Sequence, residues 1–225
     1  MKKNDILFFI IALSFGVISC SKTDEPTVPA IEEIVPPKAL SEMRPYIKIY
    51  EGTTPPNIEG SFFVDPQETV FCQDSCFAPG YIVISNYIKF SNQNNTTRTL
   101  DYMEKNNSEG ENATSAVGSG AFITGNNNNF TVYMNTEGTM KGIHYKMAIV
   151  ISGTKTSLGI NDLQYAFLVV EKWDDPDNKI IVKENIFRVF KDKDGLASTV
   201  DWPTGFKSSG GLKNKSSMVD AVAQK

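Results

Sequence analysis

From Ile58 onward, apolar and polar residues alternate in short runs broken by turn-forming residues. Ile143, Tyr145, Met147, Ile149 and Ile151 occupy every second position, with His144, Lys146, Ala148, Val150 and Ser152 between them. That period of two is the mark of a β-strand. Leu163-Tyr165-Phe167-Val169 repeats the pattern, and Phe130-Val132-Met134 alternates with Thr131 and Tyr133. Tyr81–Phe90, Leu100–Tyr102 and Ile180–Phe190 supply further β-rich runs. The breaks carry turn chemistry: Gly125-Asn-Asn-Asn-Asn129 and Glu137-Gly138 tolerate positive φ, and Asp174-Asp-Pro-Asp-Asn178 favours a type I turn. Connections this short join antiparallel neighbours. The body predicts an all-β fold, an antiparallel barrel of eight or nine strands, with a β-sandwich as the alternative. Gly118-Ser-Gly120, inside a strand-like run, permits sharp bending and so favours closure.

Upstream the pattern changes. Lys2 and Lys3 precede an apolar run from Ile6 to Ile18. About 13 residues of helix reach roughly 20 Å, short of the ~30 Å core of a bilayer, so residues 1–19 predict a secretory signal. Val17-Ile18-Ser19-Cys20 is similar to a bacterial lipobox, which implies acylation of Cys20 as the mature N-terminus. An ordinary cleaved signal or an uncleaved anchor are the alternatives. Residues 20–45 are rich in Pro, Glu, Thr and Val without a hydrophobic period and predict a lipidated, flexible tether. The expected barrel domain covers 46–203, followed by a Ser-, Gly- and Lys-rich C-terminal tail, 204–225, with a short helix near Met218–Ala223.

Charge narrows the partners. The chain carries −4, and loss of Lys2, Lys3 and Asp5 with the signal makes it −5. An acidic body lacks the basic stripe that phosphate backbones require, so no nucleic acid is expected. The expected membrane contact is the lipid itself, since no second apolar run approaches 18 residues.

Thr53-Thr-Pro-Pro-Asn-Ile-Glu-Gly-Ser-Phe-Phe63, Leu163-Gln-Tyr-Ala-Phe-Leu-Val-Val170 and Phe187-Arg-Val-Phe-Lys-Asp-Lys-Asp-Gly195 together resemble a group of Bacteroidetes surface lipoproteins with a lipocalin-like barrel. Ile58-Glu-Gly-Ser-Phe62 stands where lipocalins carry Gly-x-Trp, with Phe in place of Trp. Ser21-Lys-Thr-Asp-Glu25 resembles the charged signal that sends such lipoproteins to the outer face of the outer membrane, with Thr23 interrupting it. The resemblance implies a lipid-anchored protein facing the cell exterior.

Chemistry-bearing residues are few. Cys72 and Cys76, four apart in Phe71-Cys-Gln-Asp-Ser-Cys-Phe77, are expected to pair as a disulfide outside the cytoplasm. A metal pair or two free thiols are the alternatives, and with no His or third Cys nearby no metal is expected. His144 falls on the mixed face of its strand and reads as a surface residue. A hydrolytic triad through it lacks a Gly-x-Ser-x-Gly elbow, and Ser152-Gly-Thr-Lys155 has no helix to present its serine. Gly118-Ser-Gly120 lacks the third glycine of a phosphate loop, and Asp192-Lys-Asp-Gly195 lacks the ligand spacing of an EF-type calcium loop. No catalytic set and no cofactor are expected. Aromatics remain: Tyr87, Tyr102, Tyr133, Tyr145, Tyr165 and Trp173 are candidates to line a ligand cavity or its rim. The expected function is therefore a surface binding protein for a small apolar or glycan ligand, through a barrel cavity or a loop surface. The alternatives are a glycan hydrolase using paired carboxylates, whose separation no sequence reveals, and an accessory subunit of an outer-membrane complex.

Overall fold

The computed structural model describes residues 31–107, 115–140 and 143–203. The expected signal, Cys20 and the tail 204–225 lie outside the described residues. The described chain forms two short helices, α1 (Ile31–Ile34) and α2 (Pro37–Met43), then eleven strands. These are β1 (Gly60–Val64), β2 (Gln67–Cys72), β3 (Ile82–Val83), β4 (Asn86–Asn94), β5 (Thr99–Asn106) and β6 (Ser115–Asn126). They continue with β7 (Asn129–Met140), β8 (Ile143–Lys155), β9 (Gly159–Lys172), β10 (Phe187–Asp192) and β11 (Leu196–Thr199).

All eleven belong to one antiparallel sheet, in the order β11-β1-β4-β5-β6-β7-β8-β9-β10-β2-β3. The separate packed sheets of a sandwich are therefore not what the strands build. A second pairing, β11 with β9, closes eight of them into a hydrogen-bonded ring. β9 is long enough for two partners on one edge: Gly159–Asn161 pair with β11, and Gln164–Leu168 pair with β10. β10 and β11 are thus two halves of one interrupted path, broken at residues 193–195. β1 and β2 mirror them across a break at Asp65–Pro66, where the Lys193 amide donates to the Pro66 carbonyl at 2.9 Å.

The alternation read from the sequence sets the inside of this ring. Phe62, Phe90, Tyr102, Phe130, Tyr145, Ile149, Tyr165 and Phe167 share one core cluster, each no more than 2% exposed. The opposite face of β8 and β9 is not left to solvent. Ala148, Val150, Ala166 and Leu168 are buried under Ile34, Val35, Met43 and Ile47, which α1, α2 and the following segment lay across the outside of the sheet. This corrects the expected tether: its part from Ile31 to Pro45 is a packed strap. The strap continues with the Lys48 amide donating to Gln164 Oε1 and the Tyr50 amide to Thr131 Oγ1, both at 2.8 Å. It closes where Gly52 meets Gly125. Both glycines have positive φ, and a Cβ on Gly52 would strike the Gly125 carbonyl.

Two expectations, one of a turn and one of a strand, part from the structure. Glu137-Gly138 does not turn but continues β7, whose pairing with β8 runs to Met140 opposite Ile143. Ile180–Ile186 is not strand; only Phe187–Asp192 of the late run pairs. Gly118 and its neighbours fit the bending expectation, since β6 slips register against β7 between Ser119 and Phe122. The turns β4–β5, β6–β7 and β8–β9 are short and lie at one end of the ring. The longer connections after β2 and β9 leave from the other end, and from the second of them Ile181 and Val182 reach into the core cluster.

Candidate functional site

The connection from Trp173 to Ile186 is organised by one carboxylate. Asp175 Oδ1 accepts the Lys179 amide at 2.9 Å, and Oδ2 accepts the Ile181 amide and the Lys172 ammonium, each at 2.9 Å. The two side chains are 5–6% exposed, and the Lys172 ammonium also donates to the Ile181 carbonyl at 2.8 Å. Burial pushes the Asp175 carboxyl up, but the amides of Ile181, Lys179 and Ile180 and the Lys172 ammonium outweigh it and hold it at about 2. Asp174 and Asn178 adopt positive φ to wrap the backbone round this centre. The result is a cleft of about 400 Å³ lined by Lys172, Asp174, Asp175, Pro176, Asn178, Lys183 and Glu184. Trp173, 44% exposed, stands at its edge in sequence.

The connection after β2 flanks the same end of the ring. Its Asp74 takes Arg188 in a two-pronged contact, Nε to Oδ1 at 3.1 Å and Nη2 to Oδ2 at 2.5 Å. Burial raises the Asp74 carboxyl, yet the hydrogen bonds and charge of Arg188 bring it below its ordinary value. The Arg188 guanidinium lies 5.8 Å from the Phe77 ring, which stacks on Tyr81 at 4.7 Å. Cys72 and Cys76 are two free thiols with sulfurs 2.6 Å apart, so the expected disulfide is not formed in the structure. With the Asp74 carboxylate they place three metal-ligating atoms within 4.8 Å of one another.

The expected aromatic lining does not assemble into one site. Tyr102, Tyr145 and Tyr165 fill the ring interior. Tyr133 points to the opposite face and is buried under the strap. Tyr87 stacks on Phe63 at 4.4 Å, outside the core, and Trp173 stands at the loop end. The interior tyrosines instead serve a buried carboxylate. Glu104, 1% exposed, accepts the Tyr102 hydroxyl at 2.7 Å and the Tyr165 hydroxyl at 3.3 Å. Burial first, and the Glu104 charge second, raise both tyrosine hydroxyls well above their usual range. His144 is exposed, as its strand parity predicts.

No family model, curated protein or solved structure matches this chain.

A second carboxylate centre lies at the break between β10 and β11. Asp192, 3% exposed, accepts the amides of Gly195 and Leu196 on Oδ1 at 3.0 and 3.2 Å, while its Oδ2 has no hydrogen-bond partner among the described residues. Burial, then Asp194, push its carboxyl up to about 7. Together with Lys48, Asp162, Gln164, Lys191, Lys193 and Gly195 the two carboxyls line a cleft of about 190 Å³. The sequence contained signs of these centres that residue-type motifs pass over. Glu104 shares strand parity with Leu100 and Tyr102, and Arg188 shares parity with Phe190. A charge at an inward position of an apolar strand is the signal.

Proposed function

We propose that this chain is a lipid-anchored cell-surface binding protein, acylated at Cys20, whose lipocalin-like barrel is a packed scaffold and whose ligand is met at the loop end. The observation that carries this reading is where the interior aromatics go. Small barrels either fill with side chains or hold one ligand, and here Tyr102, Tyr145, Tyr165 and Phe167 are fully buried in one core cluster. The polar cleft around Asp175 mixes carboxylates with Lys183 and Asn178, and its lining residues Lys172 and Asp174 flank the exposed Trp173 in sequence. Hydroxyl-rich ligands are recognised by such a set: carboxylates and amides take hydroxyl hydrogen bonds, and an indole face stacks on a sugar ring. A glycan is therefore the favoured ligand class, and a small apolar ligand, which needs a hollow interior, is disfavoured.

Glycan-array binding of the full chain tests the reading. Trp173→Ala and Lys183→Ala should each weaken a positive signal by roughly tenfold, the scale of one stacking or charge-assisted contact. Full retention of affinity in both variants would overturn the loop-end site. Protease shaving of intact cells, expected to remove the protein, tests its exposure at the surface.

A further inference from the structure

The chain reverses within the five residues Cys72–Cys76. Ser75 holds φ at +56°, and its amide donates to the Cys72 carbonyl at 3.0 Å. The reversal sets the two sulfurs 2.6 Å apart. Two outcomes of such proximity compete, a bound thiophilic cation and a covalent bond. A tetrahedral zinc site with Zn–S of about 2.3 Å needs its sulfurs roughly 3.8 Å apart, whereas a disulfide needs about 2.05 Å. A cation would also require both thiols to ionise. A disulfide also forms through a thiolate, so ionisation does not separate the two outcomes, and the sulfur separation does.

We propose that Cys72 and Cys76 are a site of reversible disulfide formation that locks the 73–81 connection as a rim of the loop end and holds Asp74 on Arg188. The partner reagent is a disulfide oxidant, either a low-molecular-weight disulfide or a thiol–disulfide oxidase. Cys76, the more accessible thiol, gives up its proton, attacks the oxidant and forms a mixed disulfide, releasing the first thiolate. Cys72 then loses its proton, attacks the Cys76 sulfur and expels the second thiolate. Two electrons pass to the oxidant, and the two cysteine protons end on its two thiols.

What the bond secures is the neighbouring charge. Arg188 is 2% exposed, with Nε and Nη2 on Asp74 and Nη1 without a hydrogen-bond partner among the described residues. Asp74 lies between the two cysteines in sequence, so the ring they close fixes its carboxylate against the guanidinium. The free-thiol form already holds this contact and the Phe77–Tyr81 stack, and the bond narrows how far the segment can open away from them.

The test uses the full chain, reduced and then exposed to glutathione disulfide. Peptide mapping should recover Cys72 and Cys76 in one cross-linked peptide, separately from Cys20. Oxidation should shift the unfolding equilibrium in favour of the fold by on the order of 30-fold, the chain-entropy value for a five-residue ring. Proteolysis within 73–81 should slow in the oxidised form. Cys76→Ser, which alters the more accessible thiol, should match the reduced wild type and respond to neither oxidant nor reductant. Two alkylatable thiols persisting after oxidation would overturn the proposal, as would thiols shielded by a zinc ion that a chelator releases.

Discussion

Replacing Asp175 by Asn removes the charge at the centre of the 173–186 connection while keeping its shape. Lys172 then sits 6% exposed with no carboxylate, and the amides of Lys179, Ile180 and Ile181 lose their ionised acceptor. The carboxyl's fall from 3.8 to about 2 corresponds to roughly 2 kcal/mol of preference for the ionised group in the folded chain. Orphaning the buried ammonium adds to this, since breaking one side of a buried pair costs about 3–5 kcal/mol. The Asn carbonyl retains part of the amide bonding, so the net expectation is about 3 kcal/mol. Urea unfolding gives that number, and amide exchange at residues 179–181 locates it. Lys172→Met on the Asp175→Asn background should recover at least about 1 kcal/mol, because the uncompensated charge is gone. A single-variant loss below about 0.5 kcal/mol, the range of ordinary surface substitutions, would refute the idea that this pair organises the cleft.

Acid should expose the same centre. Because the folded Asp175 value lies below the unfolded one, its stabilisation is complete above about pH 4 and is lost as pH falls toward 2, a loss visible as a slope in the stability–pH profile that Asp175→Asn lacks. Asp192 has the opposite sign: its folded value of about 7 lies above the unfolded one, so stability declines as pH rises from about 4 through 7. Asp192→Asn can keep the Gly195 and Leu196 bonds. It should be more stable than wild type at pH 8, on the order of 1–2 kcal/mol by thermal or urea unfolding, and nearly equal at pH 4. Tyr102→Phe should cost about 2 kcal/mol by removing a 2.7 Å donor from the buried Glu104, and Tyr165→Phe, at 3.3 Å, should cost less. Equal costs in urea unfolding would contradict that ordering.

The strand pattern of β7, β8 and β9 was legible because inward residues are consistently large and apolar, and a period of two leaves little ambiguity over a dozen residues. The strap was not. α1 spans 4 residues and α2 spans 7, too short for a helical period to rise above the surrounding prolines. Pro37 at the first turn of α2 was the available sign, since proline suits that position. The long burial of β8 follows from the strap: Ala148 and Val150 read as a mixed face only until something covers them. Ile180-Ile-Val182 read as strand because β-branched runs fit a sheet. Asp175 instead captures the amides of 179–181, and the apolar side chains reach the core from a loop. Candidate chemistry was the least legible part. Asp74 with Arg188, and Lys172 with Glu184, join positions that a loop or a strand pairing brings together, and pairings of that kind leave no local spacing to read.

The strap also sets how far the body can stand from a bilayer. With Cys20 acylated as proposed, only residues 21–30 separate the lipid from Ile31, where α1 begins. Ten residues span at most about 35 Å when fully drawn out. A 25-residue leash would have allowed the domain to roam and rotate freely. If the chain is anchored at Cys20 as proposed, ten residues set a shorter upper bound on that distance, measured from the flank that α1 and α2 cover. On the proposed reading the strapped flank would be the side nearest the membrane, and a glycan would approach from the flanks or the crest that remain.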